Sequence, residues 1–163
     1  MRRFWFSAKL YGMGISRSAS GDLRRHSVLA WLRLLRVELK VSGELAEQLK
    51  VWGLNNAQFD VLAHVGVQEG ITQQELADSL LVTKGNVAQL LGRMEGRGWI
   101  LRRREGRINR LSLTTEGRRL FGEVVPAHEA LINRLLSALS RKEQEQLHAL
   151  LRKLDRSLDN RVA

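Results

Sequence analysis

With 163 residues, 44% of them apolar, the chain has room for one domain with helical extensions and none for a second large catalytic domain. Cysteine is absent, which excludes disulfide frameworks, thiolate catalysis, cysteine redox sensing and Cys-ligated zinc or iron–sulfur sites; no apolar run approaches the roughly 18 residues of a bilayer span. Lys and Arg exceed Asp and Glu by ten, an excess that calls for a polyanionic partner, nucleic acid first and membrane surface second.

The opening MRRFWFSAKLYGMGISRSAS carries two arginines and an apolar stretch, a faint likeness to a secretory signal that Lys9 interrupts. Residues 1–22 are read instead as a flexible basic arm, with a working start near Met13 as a further option and Phe4, Trp5, Phe6 and Tyr11 available to pack on a partner subunit. From 22 to 51, Val28, Leu32, Leu35, Leu39, Ala46 and Leu49 recur at helical spacing, and Trp52-Gly53 ends this long helix. Asn55 or Asn56 caps a second helix carrying Ala57, Phe59, Leu62, Ala63 and Val65, which stops at Glu69-Gly70.

Thr72-Gln-Gln-Glu75 has the form of a capping box and opens a short third helix on Leu76, Ala77 and Leu80. Thr83 caps a fourth, whose Val87, Leu90, Leu91 and Met94 fall at i, i+3, i+4 and i+7 before Gly96 and Gly98 close it. Two short helices so joined predict a helix-turn-helix. Residues 99–103 and 109–113 then read as a β-hairpin around the tip Arg104-Glu105-Gly106-Arg107. Beyond Thr114, Leu120, Val124, Leu131, Leu135 and Leu139 mark a long helix that Pro126 is expected to kink or break, and Leu147, Leu150, Leu151, Leu154 and Leu158 mark a last one. The fold class is mainly α with a small β-hairpin wing.

Between Lys84 and Arg119 ten basic residues face three acids, so the charge excess is local, and the glycines that cut this block count against a membrane-surface helix. A helix entering a major groove must present an uncluttered face. At 100° steps the face opposite the apolar stripe carries Gly85, Ala88, Gln89, Gly92 and Arg93, mostly small residues. Gln89 can pair bidentately with adenine, Lys84 can reach a guanine edge or a phosphate, Arg93 suits a phosphate, and Thr83 with the first-turn amides of Gly85 and Asn86 adds a positive helix end. On the hairpin, Arg107 at the tip suits a narrow minor groove, while Arg102, Arg103, Arg104 and Arg110 suit flanking phosphates.

The matching stretches are Leu54-Asn-Asn-Ala-Gln-Phe-Asp-Val-Leu62, Thr72-Gln-Gln-Glu-Leu-Ala77, Val82-Thr-Lys-Gly-Asn-Val87, Arg93-Met-Glu-Gly-Arg-Gly-Trp-Ile100 and Leu113-Thr-Thr-Glu-Gly117. In these and in element order, residues 24–158 resemble the MarR family of bacterial winged helix-turn-helix regulators. The family's wing usually carries Asp-x-Arg; Glu105-Gly106-Arg107 stands in that place, on a wing about three residues shorter, so Arg107 takes the wing-tip role by position. The resemblance implies a homodimer with a dimerisation helix at 23–53, a DNA-binding domain at 54–117 and C-terminal dimerisation helices at 118–163. A two-fold dimer in turn implies a pseudo-palindromic operator.

The resemblance also implies release from DNA by a small aromatic or phenolic effector, for which Trp31, Trp52, Phe59, His64 and Phe121 are candidate pocket residues; ordinary core packing is the default reading of each. No cofactor is expected. His26, His64, His128 and His148 form no ligand motif for a metal, and no Ser/His/Asp spacing, phosphate loop or HExxH pattern points to an enzyme. The expected function is therefore sequence-specific binding of double-stranded DNA by a cytoplasmic transcriptional regulator, a repressor in the first reading, with a basic architectural protein that ignores sequence as the alternative.

Overall fold

The computed structural model describes residues 19–80 and 82–159, with side chains for 25–80, 82–83 and 85–159. The N-terminal aromatics at positions 4, 5, 6 and 11 lie outside the described residues. The order of elements is α1 (Ala19–Leu49), a 3-10 turn (Lys50–Trp52), α2 (Asn56–Val67), α3 (Gln73–Ser79), α4 (Lys84–Gly96), β1 (Ile100–Glu105), β2 (Ile108–Leu113), α5 (Thr115–Leu135) and α6 (Arg141–Asp159). The chain divides into two units, 1–40 and 41–163. In the first, helix begins at Ala19 and takes in the last four residues of the stretch expected to be an arm.

Each helix start in the second unit is set by a local side-chain bond. Asn55 Oδ1 accepts the Gln58 N–H at 3.0 Å while Gln58 Oε1 accepts the Asn55 N–H at 3.1 Å. Thr72 and Glu75 repeat this box at 3.1 and 2.8 Å, and the two bonds from Thr72, backbone first, hold the Glu75 carboxyl below its ordinary range. Thr83 Oγ1 accepts the Asn86 N–H, and Thr114 Oγ1 the Gly117 N–H at 2.9 Å. Such caps are worth about 0.5–2 kcal/mol each and fix where each helix begins.

The core lies where these elements converge. Leu49, Val61, Leu62, Val65, Leu76, Val87, Leu91, Met94 and Leu111 are fully buried, with Ile100, Leu113, Leu120 and Val124 beside them. Burying each such side chain contributes about 1.5–3 kcal/mol. The core thus reaches beyond 54–117 on both sides, taking in the end of α1 and the first turns of α5. The α5 helix runs through Pro126 without a break.

The hairpin is longer than its residue pattern indicated. β1 and β2 pair antiparallel from Ile100↔Leu113 to Glu105↔Ile108, so Arg104 and Glu105 belong to the ladder and the turn is Gly106-Arg107 alone, Gly106 at φ +62°. Alternation along a hydrophobic strand could not show this, because the residues of the last rungs, Ile108 included, are all exposed. The segment before α3 adds a further rung: the Leu111 N–H donates to Ile71 O at 2.9 Å and the Gly70 N–H to Leu111 O at 2.8 Å.

One junction holds several elements at once. Trp99 N–H bonds Met94 O at 3.0 Å across Gly98 (φ +69°), closing α4, and Trp99 O accepts the Thr114 N–H at 3.1 Å. A Cβ on Gly117 would overlap that same Trp99 carbonyl oxygen and lie 2.9 Å from its carbon. Gly117→Ala is therefore expected to destabilise the fold by about 1–3 kcal/mol, because main chain must move to admit the methyl group. Chemical denaturation measures this, and an unchanged midpoint would refute the close approach.

Candidate nucleic-acid interface

α4 turns Val87, Leu91 and Met94 fully into the core and leaves Gly85, Asn86, Gln89, Gly92 and Arg93 exposed, with Ala88 half-buried. The face assigned from spacing is the face the fold leaves open. Among the described residues, no atom beyond the helix's own backbone and the adjoining residues lies within 4 Å of where a Cβ on Gly85 or Gly92 would stand. The side chains of Asn86, Gln89 and Arg93 have no hydrogen bond or ion pair among the described residues, and Thr83, also exposed, is spent on its cap. The Lys84 side chain lies outside the described residues.

The five wing arginines are not equivalent. Arg102 is half-buried and tied to Glu95 at the end of α4: its Nε donates at 2.8 Å, its Nη2 to the same oxygen, and its backbone N–H to the other carboxylate oxygen at 3.1 Å. Arg110 donates from Nε to Glu105 at 2.7 Å and from Nη1 to Gly70 O at 3.0 Å. Arg104 reaches the Gly106 carbonyl at 3.1 Å. Arg103 and Arg107 are exposed and have no hydrogen bond or ion pair among the described residues.

Register explains the division. Arg103 and Arg110 are directly opposite on one face of the ribbon, where two like charges repel; Glu105 lies diagonally on that face and takes Arg110. Arg102 falls on the other face, opposite the buried Leu111, where only its pairing with Glu95 makes a half-buried guanidinium tolerable. The structure thus gives Arg102 and Arg110 the task of fixing the wing, and leaves Arg103 and Arg107 as uncommitted cations.

A basic cleft of about 600 Å³ adjoins this surface, lined by Lys50, Gly53, Leu54, Asn55, Gln58, Arg93 and Arg97. The N-terminus of α2 opens beside it. Arg97 donates to Gly53 O at 2.8 Å and lies over the Trp99 ring, 4.9 Å from its centroid. Lys50 is paired with Glu47 at 2.6 Å. Sequence reading saw Asn55, or its neighbour Asn56, as a cap and Arg97 as part of a basic block, and no signal of spacing brings residues so far apart in the chain to one cleft.

Of the other singled-out residues, Trp52, Phe59 and Phe121 are partly buried against the core, and a Cβ on Gly66 would overlap the Phe121 ring. Trp31 is exposed on α1 within the first unit. His64 Nδ1 lies 2.8 Å from the Asp60 carbonyl oxygen one turn earlier. Among the described residues no group of three or more His, Asp or Glu is placed to hold a metal ion, and no helix is long and apolar enough to cross a membrane.

Residues 52–107 match the MarR family. An uncharacterized HTH-type transcriptional regulator of Bacillus cereus is 33% identical over 127 residues, covering 77% of this chain and 86% of that protein. The transcriptional repressor MprA of Escherichia coli is 31% identical over 143 residues, covering 85% and 81%. Among solved structures, a mutant MarR from E. coli complexed with operator DNA gives a TM-score of 0.71 at 28% identity, over 78% of this chain and 95% of that one. A helix-turn-helix with a two-stranded wing and close relatives along most of the chain lead to one assignment: the protein belongs to the MarR family, whose members regulate transcription rather than catalyse a reaction.

Proposed function

We propose that this regulator is a sequence-specific repressor that binds double-stranded DNA as a homodimer, α4 in the major groove and the wing along the adjacent backbone. The observation that carries the reading is the pairing of an open, unpartnered face on α4 with the uncommitted Arg103 and Arg107 on the wing. Gln89 sits centrally on that face and has the donor and acceptor set that adenine requires; Arg93 and the basic cleft suit phosphates. Repression is supported by MprA, and DNA as partner by the operator complex of MarR.

Dimerisation is supported by exposed apolar side chains: Leu147, Leu150, Leu151, Leu154 and Leu158 on α6, and separately Leu29, Trp31, Leu35, Val37 and Leu39 on α1. Stripes of this length in water call for a partner. A two-fold partner gives two recognition helices about one helical turn apart, hence a pseudo-palindromic operator. Release by a small aromatic effector belongs to the same reading, with Trp52, Phe59 and Phe121 the candidates packed against the core, Phe121 also pressed against Gly66.

Selection from a random DNA pool, repeated with small aromatic acids present, tests the whole. An inverted repeat should emerge from the pool and Gln89→Ala should change its preferred bases, whereas Arg103→Ala and Arg107→Ala should each weaken binding to all sequences and lower the salt slope by about 1. Failure to enrich any sequence would favour a binder that uses charge alone. Gly92→Ala separates stability from recognition: the fold should gain about 0.5–1 kcal/mol in denaturation, while affinity for the selected DNA falls as the methyl group blocks close approach. Equal affinity would place that face away from DNA. For assembly, Leu150→Glu with Leu154→Glu should shift the sedimentation of the protein from dimer to monomer, and an unchanged coefficient would remove α6 from the interface.

A further inference from the structure

Away from the surface just described, the packing of α2 against α5 holds a polar group without the partner its burial demands. His128 on α5 is only 7% exposed, its ring centroid 3.9 Å from that of Phe59 on α2 with the planes 34° apart, and its Nδ1 is buried with no hydrogen bond among the described residues. One residue earlier, Gln48 Nε2 from the end of α1 donates to Ala127 O at 2.9 Å, and Gln48 Oε1 is likewise buried and unpartnered. A neutral imidazole tolerates such a place. An imidazolium does not, because it brings a full charge and a second N–H donor where no acceptor stands.

Three elements meet at this ring. α2 contributes Asp60, whose carboxylate acts on His128, and His64, which acts on Asp60 in turn; the end of α1 contributes the neutral Gln48. Asp60 does not offset the desolvation of the ring: burial holds His128 below the ordinary histidine range, and the pull of Asp60 is the smaller effect. Partial burial in turn raises the Asp60 carboxyl.

We propose that His128 is a proton-operated release in the joint between α2 and α5, locked while the ring is neutral and loosened when it is protonated. The folded chain binds this proton less readily than the unfolded chain. The stability supplied by the neutral ring is therefore complete above the ordinary histidine value of about 6.5 and is lost as pH falls through it. Asp60 has the opposite trend, its contribution being lost as pH rises, but in the carboxylate range, so the two effects separate on a pH scale. Because α2 packs under α4 and α5 is seated on Trp99, loosening this joint disturbs the surface that carries Gln89 and Arg93.

Thermal unfolding of the full chain without DNA, at intervals from pH 8.0 to 5.5, tests the device independently of any DNA reading. The wild-type midpoint should fall by about 2–4 °C more than that of His128→Phe, which keeps an aromatic ring against Phe59 and cannot titrate, while His64→Gln should retain the wild-type slope. Parallel curves for wild type and His128→Phe would overturn the proposal, as would a slope that vanishes in His64→Gln. Should His128→Phe fail to fold, imidazole NMR of the wild type decides: a His128 ring that stays neutral well below pH 6.5 upholds the proposal, and one that titrates at the ordinary value refutes it.

Discussion

Helix α4, the wing and α5 all depend on the main chain at Gly98 and Trp99. Gly98 takes the left-handed conformation that lets the Trp99 N–H close α4 on Met94 O, and the next residue begins β1. The Trp99 carbonyl then accepts the Thr114 N–H, while Thr114 Oγ1 donates to Gly98 O at 2.5 Å and accepts from Gly117 to start α5. Gly98, Trp99 and Thr114 therefore end one helix, launch a strand and begin another helix. Gly117 completes the arrangement, since its missing side chain is what lets α5 approach this carbonyl. Arg97, held over the Trp99 ring and on Gly53 O, ties the entry of α2 to the same point.

Electrostatics refines what this framework presents. A block of arginines looks uniform as a count, yet each Arg on the wing has a different cost of staying where it is. Arg102 faces the core side and is retained by Glu95, which also binds its backbone N–H, so one carboxylate joins the end of α4 to the base of the wing by three bonds. Arg110 is drawn by Glu105 and Gly70 O. Such pairs at the surface add little stability, about 0–1 kcal/mol, but they fix direction. Among the described residues the wing arginines left without a partner are Arg103 and Arg107, and it is free charge at a fixed position that a phosphate or a narrow groove can use.

Much of this was legible in the residues. The caps at Thr72, Thr83 and one of Asn55 and Asn56 are local, each a side chain meeting a backbone N–H three residues on, so these helix starts and the helix-turn-helix follow from short patterns, whereas the matching cap at Thr114 was not read. The open face of α4 follows from a 3.6-residue period. The strand ends did not, because Arg104, Glu105 and Ile108 show no alternation of burial, and their pairing is enforced by the turn at Gly106. Nor did the separate tasks of the wing arginines, since Arg110 meets Gly70 across 40 residues of chain and Arg102 meets Glu95 around a helix end. Pro126 pointed to a kink or a break, and the helix continues without a break: proline removes one N–H from α5, and the helix is held on either side by Leu120, Val124 and Leu131 in the core. His128 was read among histidines without a ligand motif, and only the packing of α2 on α5 shows that it is buried.

The makeup of α4 shows where stability yields to function. Gly85 and Gly92 within a helix of 13 residues each weaken it by about 0.5–1 kcal/mol relative to Ala, and neither is required by a neighbour or by a positive φ. A helix so composed does not persist on its own propensity. It is held at its ends, by the Thr83 cap and the Gly98 turn, and along one side by Val87, Leu91 and Met94 in the core. Holding a helix from its ends and from behind leaves its outer face free of any structural duty, and that freedom is what allows the face to be smooth enough for another macromolecule to approach its backbone.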